Sequence, residues 1–505
     1  MKYYLTLGLF AIMSALSAQT DAEKAAETVD KNNIEGHIYF LADDLLRGRA
    51  TGSPELKIAA SYLANTLRSY GVKPSPKTGN YYQQVELKQV SPPSKVDIQV
   101  NGTKLNDYAI ITPSPISANG DALFLNYGLE SDYKGKDVKG KIILLKAGGP
   151  DTKDARAAFG LASKKQQLAK ANGVSAIIEL LDTDDAMWSN IDHHFNGVQL
   201  SLVEGKKEDD DKNSDHEVAH IWIYDSGATM VKEFAASKAL QANVSLNEKK
   251  EEIIMSQNVI GTIEGTDAEL KDEYLIYSAH YDHIGIGHPD AKGDSIYNGA
   301  RDNAIGTTAV LSIAENLAKY PTKRSALFIL FTGEEKGLLG SQYYVQNPVL
   351  PLKQMIYCFN TDGGGYNNTS LATIAGLNRT TAKKHMIEGA KTFGLKALEI
   401  DDVAPEEGLF DRSDNVSFAA VGIPAPTYST GFDAFDEEIN KYYHQASDEA
   451  DSLDYEYLVK FYQGYVLSGR LIANDPEKPF WIKGDKYEAA GNVLYGKTPK
   501  APIKN

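Results

Sequence analysis

Apolar residues recur at helical spacing in two segments near the start of the chain. In both, an apolar residue returns every three or four positions, which predicts two amphipathic helices. The first covers 30–45, and its apolar face consists of Ile34, Ile38, Leu41 and Leu45. The second follows Gly52-Ser53-Pro54, and its apolar face consists of Leu56, Ala59, Leu63, Leu67 and Tyr70.

From residue 255 onwards, short apolar runs alternate with helical patterns. The runs 274–279, 326–331 and 355–359 have the length and composition of buried strands. A helical face lies between the first two runs, and its members are Val310, Leu311, Ala314, Leu317 and Ala318. This β-α-β alternation predicts an α/β fold with a mixed, mostly parallel central sheet flanked by helices.

The middle of the chain has a different texture. From about residue 92 it changes to short alternating strands with Pro and Gly between them, and one helix is predicted at 157–171. A chain of 505 residues exceeds the usual size of one core, so more than one domain is expected. We predict a leader at 1–18, a main domain formed by 19–95 and 251–475, an inserted strand-rich domain at 96–250, and a C-terminal tail at 476–505.

Charge and cysteine content exclude some classes of function. The 52 basic and 68 acidic residues give a net charge of −16, which argues against nucleic acid or an anionic membrane as a partner. The sole cysteine, Cys358, lies in the apolar run 355–359, so it is expected to be a buried small hydrophobe.

The N-terminus has the composition of a signal peptide. Met1-Lys2 is followed by an uncharged stretch to Ala18 that is short for a membrane span. We therefore expect the protein to be exported, to the periplasm or outside the cell. No membrane span is predicted after cleavage.

Six residues at the ends of predicted strands or short loops form a candidate metal site. They are His280, Asp302, Glu334, Glu335, Asp362 and His444. Singly, each has a structural explanation: Asp302 could cap a helix, and Glu334 and Glu335 could lie in a first helical turn. Together, two imidazoles and four carboxylates suit two divalent cations, with one carboxylate left for proton transfer. His283 and His288 are expected to line the rim of this site.

The motifs around these residues resemble those of secreted zinc peptidases of the aminopeptidase and glutamate carboxypeptidase family that carry an inserted protease-associated domain. The resemblance spans about residues 34–474. The most specific strings are Ala279-His280-Tyr281-Asp282-His283-Ile284-Gly285 and Phe331-Thr332-Gly333-Glu334-Glu335. The strings that complete it are Arg47-Gly48-Arg49-Ala50-Thr51-Gly52, Arg412-Ser413-Asp414 and Tyr443-His444-Gln445-Ala446-Ser447-Asp448. The chain departs from common forms of the pattern at Arg301, Ile305 and Asn415, which leaves the substrate pocket undefined.

The resemblance implies a role for each site residue. Asp302 would bridge two Zn²⁺ ions, one held also by Glu335 and His444 and the other by His280 and Asp362. Glu334 would be the general base, and Asp282 would orient His280. The implied fold is that of a zinc exopeptidase.

The function implied is that of an aminopeptidase, which hydrolyses N-terminal residues from peptides with a free N-terminus by a metal-bridged hydroxide. A carboxypeptidase with an acidic preference is an alternative, although the insert holds only one arginine, Arg156. An enzyme that cyclises N-terminal glutaminyl residues with one zinc ion is another alternative. A catalytically silent, receptor-like binding protein is the alternative from a different class.

Overall fold

The computed structural model of the protein describes residues 19–151, 155–203, 217–400 and 403–496. The predicted leader at 1–18 and the last part of the predicted tail lie outside the described residues. The chain divides into two compact units, one formed by residues up to Val85 and from Met255 onwards, the other by Glu86–Ile254. That the second unit is a protease-associated domain stays a prediction.

The helices are numbered in chain order. They are α1 (Asp21–Thr28), α2 (Lys31–Leu41), α3 (Pro54–Tyr70), α4 (Ala155–Ala171), α5 (Asp185–Asn196), α6 (Thr229–Ala236), α7 (Ile305–Lys319), α8 (Leu339–Gln346), α9 (Lys383–Thr392), α10 (Asn415–Ala420), α11 (Glu437–Tyr442), α12 (Tyr455–Asn474) and α13 (Glu488–Leu494).

The strands are numbered in the same way. They are β1 (Lys73–Pro74), β2 (Tyr82–Ser91), β3 (Val96–Val100), β4 (Thr103–Lys104), β5 (Tyr108–Thr112), β6 (Ile116–Phe124), β7 (Ile142–Lys146), β8 (Ala176–Leu181), β9 (Gln199–Leu202), β10 (Ala219–Tyr224), β11 (Leu240–Leu246), β12 (Lys250–Ile263), β13 (Tyr274–His280), β14 (Gly285–Ile286), β15 (Ile296–Tyr297), β16 (Ser325–Phe331), β17 (Met355–Asn360), β18 (Leu371–Ala375), β19 (Lys396–Glu399) and β20 (Thr427–Thr430).

The first unit is built on a mixed sheet with the order β19-β18-β20-β17-β13-β16-β12-β2. Its centre is parallel, because β13 pairs in parallel with both β16 and β17. The apolar runs predicted from the sequence are these three strands, and each is buried along its whole length apart from the first residue of β13. The predicted α/β fold with a mixed sheet flanked by helices is confirmed.

Helices cover this sheet because their apolar faces match its buried strands. The helix α7 is buried almost all round, and α12 carries a long buried stripe that includes Leu458, Phe461 and Tyr465. Both join one apolar core with α2 and α3, whose predicted faces, apart from Leu45, pack there. The helix α3 begins at the cap Ser53 and ends at Gly71, whose φ of 86° is easy only for glycine.

The second unit is built on a separate sheet with the order β4-β3-β11-β6-β7-β8-β10-β5. The strands β6, β7, β8 and β10 run parallel, and β3, β11 and β5 add antiparallel edges. A charged group lies inside this unit: Glu179 contacts Lys165 and accepts a hydrogen bond from Trp222 at 3.0 Å. All three side chains are buried.

One predicted detail is wrong. The first predicted helix was expected to reach Leu45, but α2 ends at Leu41 and Leu45 is 82% exposed. The alternative explanation of Glu334 and Glu335 as residues of a first helical turn does not apply, because they precede α8, and Gly337 and Leu338 between them and this helix adopt φ values of 97° and 61°. Within the described residues, no helix combines the length and apolar character that crossing a membrane requires.

Candidate metal centre

The site lies where neighbouring parallel strands end. His280 is the last residue of β13, Glu334 and Glu335 follow β16, and Asp362 follows β17. Because these strands are parallel neighbours, their carboxyl ends meet at one edge of the sheet. This edge is where open α/β sheets bind ligands.

Loops bring the remaining two residues to the same edge. Asp302 lies in the turn before α7, and His444 lies just after α11 with a left-handed φ of 55°. The two carboxylate oxygens of Asp302 face different histidines. Its Oδ1 is 3.3 Å from Nε2 of His280, and its Oδ2 is 3.1 Å from Nε2 of His444.

Each histidine also contacts a second carboxylate. Nε2 of His280 is 3.1 Å from Oδ1 of Asp362, and Nε2 of His444 is 3.4 Å from Oε2 of Glu335. The site therefore divides into two sets of donors that share Asp302. The structure brings all six residues predicted from the sequence together.

The donor atoms fit divalent cations. Three groups of side chains place one donor atom from each member within 4.8 Å of the others: His280 with Asp302 and Asp362, His280 with Glu334 and Glu335, and His283 with Asp302 and Glu335. Imidazole nitrogens and carboxylate oxygens are common ligands of zinc. The second group shows that Glu334 also lies within reach of a cation.

His283 belongs to the centre, so the prediction that it lines the rim is wrong. Its ring is fully buried, and its Nδ1 is 2.6 Å from Oε1 of Glu335. Its Nε2 is buried and has no hydrogen-bond partner. The backbone explains this position, since the amide of His283 donates to the carbonyl of Arg49 at 3.2 Å and draws the chain inward. His288 is exposed.

Asp282 contacts His280 mainly through its backbone. Its carbonyl oxygen is 3.1 Å from Nδ1 of His280, whereas its Oδ1 is 3.9 Å away. The carboxylate instead accepts hydrogen bonds from the hydroxyl of Thr51 at 2.6 Å and from the amide of Glu334 at 3.2 Å. Asp282 thereby ties the turn that carries Glu334 to the strand that carries His280.

The carboxylates of the site raise the pKa values of its histidines. Burial disfavours an imidazolium, but the carboxylates of Asp362 and Glu334 outweigh it and raise the pKa of His280 well above its usual value. Burial opposes the charge of His444 too, yet hydrogen bonds to Asp302 and Glu335 raise its pKa to about 10. The carboxylates thus favour positive charge at the positions that face them, which is what a divalent cation supplies.

The two adjacent glutamates differ. Burial, reinforced by Asp362 and Glu335 and opposed by His280, raises the pKa of Glu334 well above its usual value. Burial and Asp302 would also raise the pKa of Glu335, but His283 and His444 lower it to about 2. Glu335 is therefore held as an anion, while Glu334 is the carboxyl that takes up a proton more readily.

Sequence reasoning assigned no role to two buried residues that hold the site in place. Arg49 donates to the carbonyls of Tyr281, Asn298 and Gly299 at 2.9, 2.7 and 3.1 Å. Asp448 accepts hydrogen bonds from the amide of Asp302 at 3.2 Å and from that of its neighbour Arg301. Both residues lie in the sequence motifs on which the family resemblance rests, and these motifs were the signal that could have identified them.

Arg301, which departs from the common family pattern, also holds the site in place. Its side chain is buried, and Nη1 donates to Asp448 at 3.1 Å and to the hydroxyl of Ser452 at 2.7 Å. Its guanidinium lies 3.5 Å from the ring centroid of Tyr442, a cation–π geometry. The other two residues that differ from the family pattern are also buried. Ile305 begins α7, and Asn415 donates to the carbonyls of Phe410 and Ala425.

A pocket of about 150 Å³ opens beside the six residues. This is smaller than the roughly 300–1,000 Å³ of pockets that enclose drug-sized ligands, and it suits one part of a substrate such as a side chain. Its wall beyond the site is mainly apolar and includes Ile400, Leu409, Phe432, Phe435 and Ile439. Arg412 adds one guanidinium, which lies 3.4 Å from Glu407.

Comparison with known proteins identifies the family of this site. The sequence model of peptidase family M28 matches residues 258–466, a span that contains all six predicted site residues. This segment is a peptidase family M28 domain. The resemblance to this peptidase family is thereby confirmed, whereas secretion and the inserted protease-associated domain stay predictions.

Relatives extend the likeness beyond the M28 domain. Aminopeptidase YwaD of Bacillus subtilis (strain 168) is 24% identical over 98% of this chain and 99% of its own. The solved aminopeptidase from Aneurinibacillus sp. strain AM-1 has a TM-score of 0.58 at 23% identity, covering 90% of this chain and 97% of that one. BSAP, a zinc aminopeptidase from Bacillus subtilis, has a TM-score of 0.52 at 19% identity, covering 89% and 97%. These structures share the fold.

Proposed function

We propose that this protein is a zinc-dependent aminopeptidase that releases N-terminal residues from peptides. The observation that carries the proposal is the position of Asp302, whose two carboxylate oxygens face His280 and His444 at 3.3 and 3.1 Å. The proposal is supported by the M28 domain and by the full-length relative that carries the name aminopeptidase.

We further propose two zinc ions. His280 and Asp362 would hold one, His444 and Glu335 the other, and Asp302 would bridge them. His283 is a further candidate ligand beside Glu335, since it too lies within reach of both Asp302 and Glu335. When bound, the ions lower the pKa of water and polarise the scissile carbonyl.

Glu334 is the proposed general base. It lies next to the ligand set, with Oε2 4.0 Å from Nε2 of His280, and the amide of its own backbone is held by Asp282. Its raised pKa suits a carboxylate that accepts a proton from the attacking water and then passes it to the leaving amine. Such work needs a group that both takes and releases a proton.

The surroundings argue against a carboxypeptidase with an acidic preference. Two bound zinc ions would neutralise the carboxylates of Asp302, Glu335 and Asp362, so the negative charge of these side chains does not decide which substrate end binds. An acidic substrate end would need cationic side chains in the pocket wall. Arg412 is the one arginine or lysine among the described residues that line the pocket, and it is already paired with Glu407.

Export is part of the proposal. It rests on the sequence of residues 1–18, and it predicts that the protein recovered from outside the cytoplasm begins after this segment. Sequencing the N-terminus of the recovered protein tests it.

Digestion of a mixed peptide pool tests the activity. The zinc-loaded protein is incubated with free peptides and with N-acetylated copies, and products are read by mass spectrometry. We expect stepwise loss of N-terminal residues from the free peptides and no change in the acetylated ones. Loss of C-terminal residues would indicate a carboxypeptidase instead. An untouched pool, from protein that carries its metal, would contradict catalysis and favour a binding role.

A further inference from the structure

A C-terminal segment outside the M28 domain packs against the wall of the substrate pocket. This segment, 480–487, runs alongside 379–381: the amide of Thr381 donates to the carbonyl of Phe480, and that of Ile482 donates to the carbonyl of Arg379, both at 2.9 Å. Trp481 is buried, and its indole donates to the carbonyl of Gly422 at 3.0 Å. The segment is therefore part of the folded first unit.

Arg379 joins this segment to the pocket. Asp485 accepts two hydrogen bonds from its guanidinium, at 2.6 and 3.0 Å, which is the strong bidentate geometry. The guanidinium carbon lies 3.8 Å from the ring centroid of Phe410 and 5.4 Å from that of Tyr487. The rings of Phe410 and Trp481 are themselves in edge contact, with centroids 6.3 Å apart.

The short segment 409–412 has two faces. Phe410 and Asp411 face the C-terminal segment, and Asp411 accepts a hydrogen bond from the hydroxyl of Tyr487 at 2.9 Å and contacts Lys486. The flanking Leu409 and Arg412 line the substrate pocket. The contacts to the C-terminal segment are therefore made by the two residues that lie between the pocket residues.

Within the M28 domain, segment 409–412 is held through Phe410, which is buried and whose carbonyl accepts a hydrogen bond from Asn415 at 2.9 Å. The segment forms a single 3₁₀ turn at Leu409–Asp411, and the amide of Asp411 donates to the carbonyl of Gly408. A segment with few backbone hydrogen bonds of its own depends on outside contacts for its order. Gly376 permits one such contact, because a Cβ there would lie 2.5 Å from the ring of Phe410.

We propose that segment 480–487 is a positioning element for the substrate pocket. Through Arg379, Tyr487 and Asp411 it holds 409–412 in place, so that Leu409 and Arg412 set which N-terminal side chain the enzyme accepts. None of the residues 480–487 lines the pocket or belongs to the candidate metal site. The inference rests on the proposed aminopeptidase function.

Two changes test the positioning role. Tyr487→Phe removes only the hydroxyl that donates to Asp411, and Asp411→Ala removes the acceptor, which is partly exposed. Lys483→Ala, in the same segment, is the matched control. The assay compares kcat/KM for Leu-Gly-Gly and Ala-Gly-Gly, because the ratio of the two is independent of the amount of folded, metal-loaded enzyme.

We expect the Leu/Ala ratio to change about fivefold in Tyr487→Phe, the effect of one hydrogen bond, mainly through KM. Asp411→Ala should change it at least as much, since it also removes the contact with Lys486. The double variant should change no further than Asp411→Ala alone, since the Tyr487 hydroxyl has already lost its acceptor there. Lys483→Ala should retain the wild-type ratio. An unchanged ratio in both single variants would overturn the positioning role.

Hydrogen exchange provides a readout that needs no activity. The amides of 403–412 should exchange faster in Tyr487→Phe and Asp411→Ala than in Lys483→Ala. If the wild type cleaves neither peptide, the proposed function fails, whereas the exchange result still decides whether the segment holds the pocket wall. Equal exchange in all variants would contradict the anchoring contact.

Discussion

Replacing Glu334 with Gln separates a proton-transfer role from a metal-binding role. Gln keeps the shape of the side chain, and the backbone amide that donates to Asp282 is unaffected. It cannot accept a proton from water. General-base work of this kind contributes about 10²–10⁴-fold, so we expect kcat to fall by that factor, a loss of about 3–5 kcal/mol of transition-state stabilisation.

The structure also predicts what should not change. In the proposed assignment the two zinc ions are held by five other side chains, so Glu334→Gln should bind them with wild-type stoichiometry. Substrate affinity should change little, because the lost interaction is made in the transition state. The measurements are kcat and KM on Leu-Gly-Gly, with metal content determined by mass spectrometry on the same samples.

Two results would refute this reasoning. Near-wild-type turnover would show that another group takes the proton. Loss of metal would show that Glu334 is a ligand, as its grouping with His280 and Glu335 permits. Glu438→Gln, an exposed change on α11 that lies near the site in sequence, serves as the matched control and should leave both quantities unchanged.

Three further outcomes are expected. Asp302→Ala should lose bound zinc and all measurable activity, since both ligand sets share this carboxylate; retention of two ions would contradict the bridging role. His283→Gln should weaken metal binding about 10–100-fold, measured by competition with a chelator, whereas the exposed His288→Gln should not. Glu179→Gln should lower the free energy of unfolding of the second unit at pH 7 by about 3–5 kcal/mol in chemical denaturation, because it leaves Lys165 charged and buried. Burial would raise the pKa of Glu179, but His220 and Lys165 lower it below 4.5. The stabilisation by Glu179 is therefore present above that pH and lost as the pH falls below it, a dependence that the variant should lack.

The sheet and the six-residue site could be predicted from the sequence because both depend on local patterns. An apolar run of strand length identifies a buried parallel strand, and polar residues directly after such runs must meet at one edge. His280, Glu334 and Asp362 follow this rule. Asp302 and His444 lie in loops, and only the motif strings pointed to them.

Contacts between distant parts of the chain could not be predicted. His283 is drawn inward by the carbonyl of Arg49, more than two hundred positions earlier, so its local sequence gave no sign of burial. The sequence assigns no role to the predicted tail at 476–505. Trp481 and Tyr487 are placed by Arg379 and Phe410, a set that no spacing rule connects.

The proposed metal centre and the pocket wall are held by different parts of the chain, and this matches their different chemical roles. The M28 domain supplies every proposed metal ligand and the base from strand ends and short loops that the sheet and its supports, Arg49 and Asp448, hold rigidly. The pocket wall at 409–412 is a short turn outside the sheet. Phe410 packs it against the core of the first unit, and a segment from outside the M28 domain contacts it as well. Function resides in sites built on a fold rather than in the fold itself. Changes in 480–487 or 409–412 can therefore alter which side chain is accepted while the proposed metal centre and its reaction stay the same.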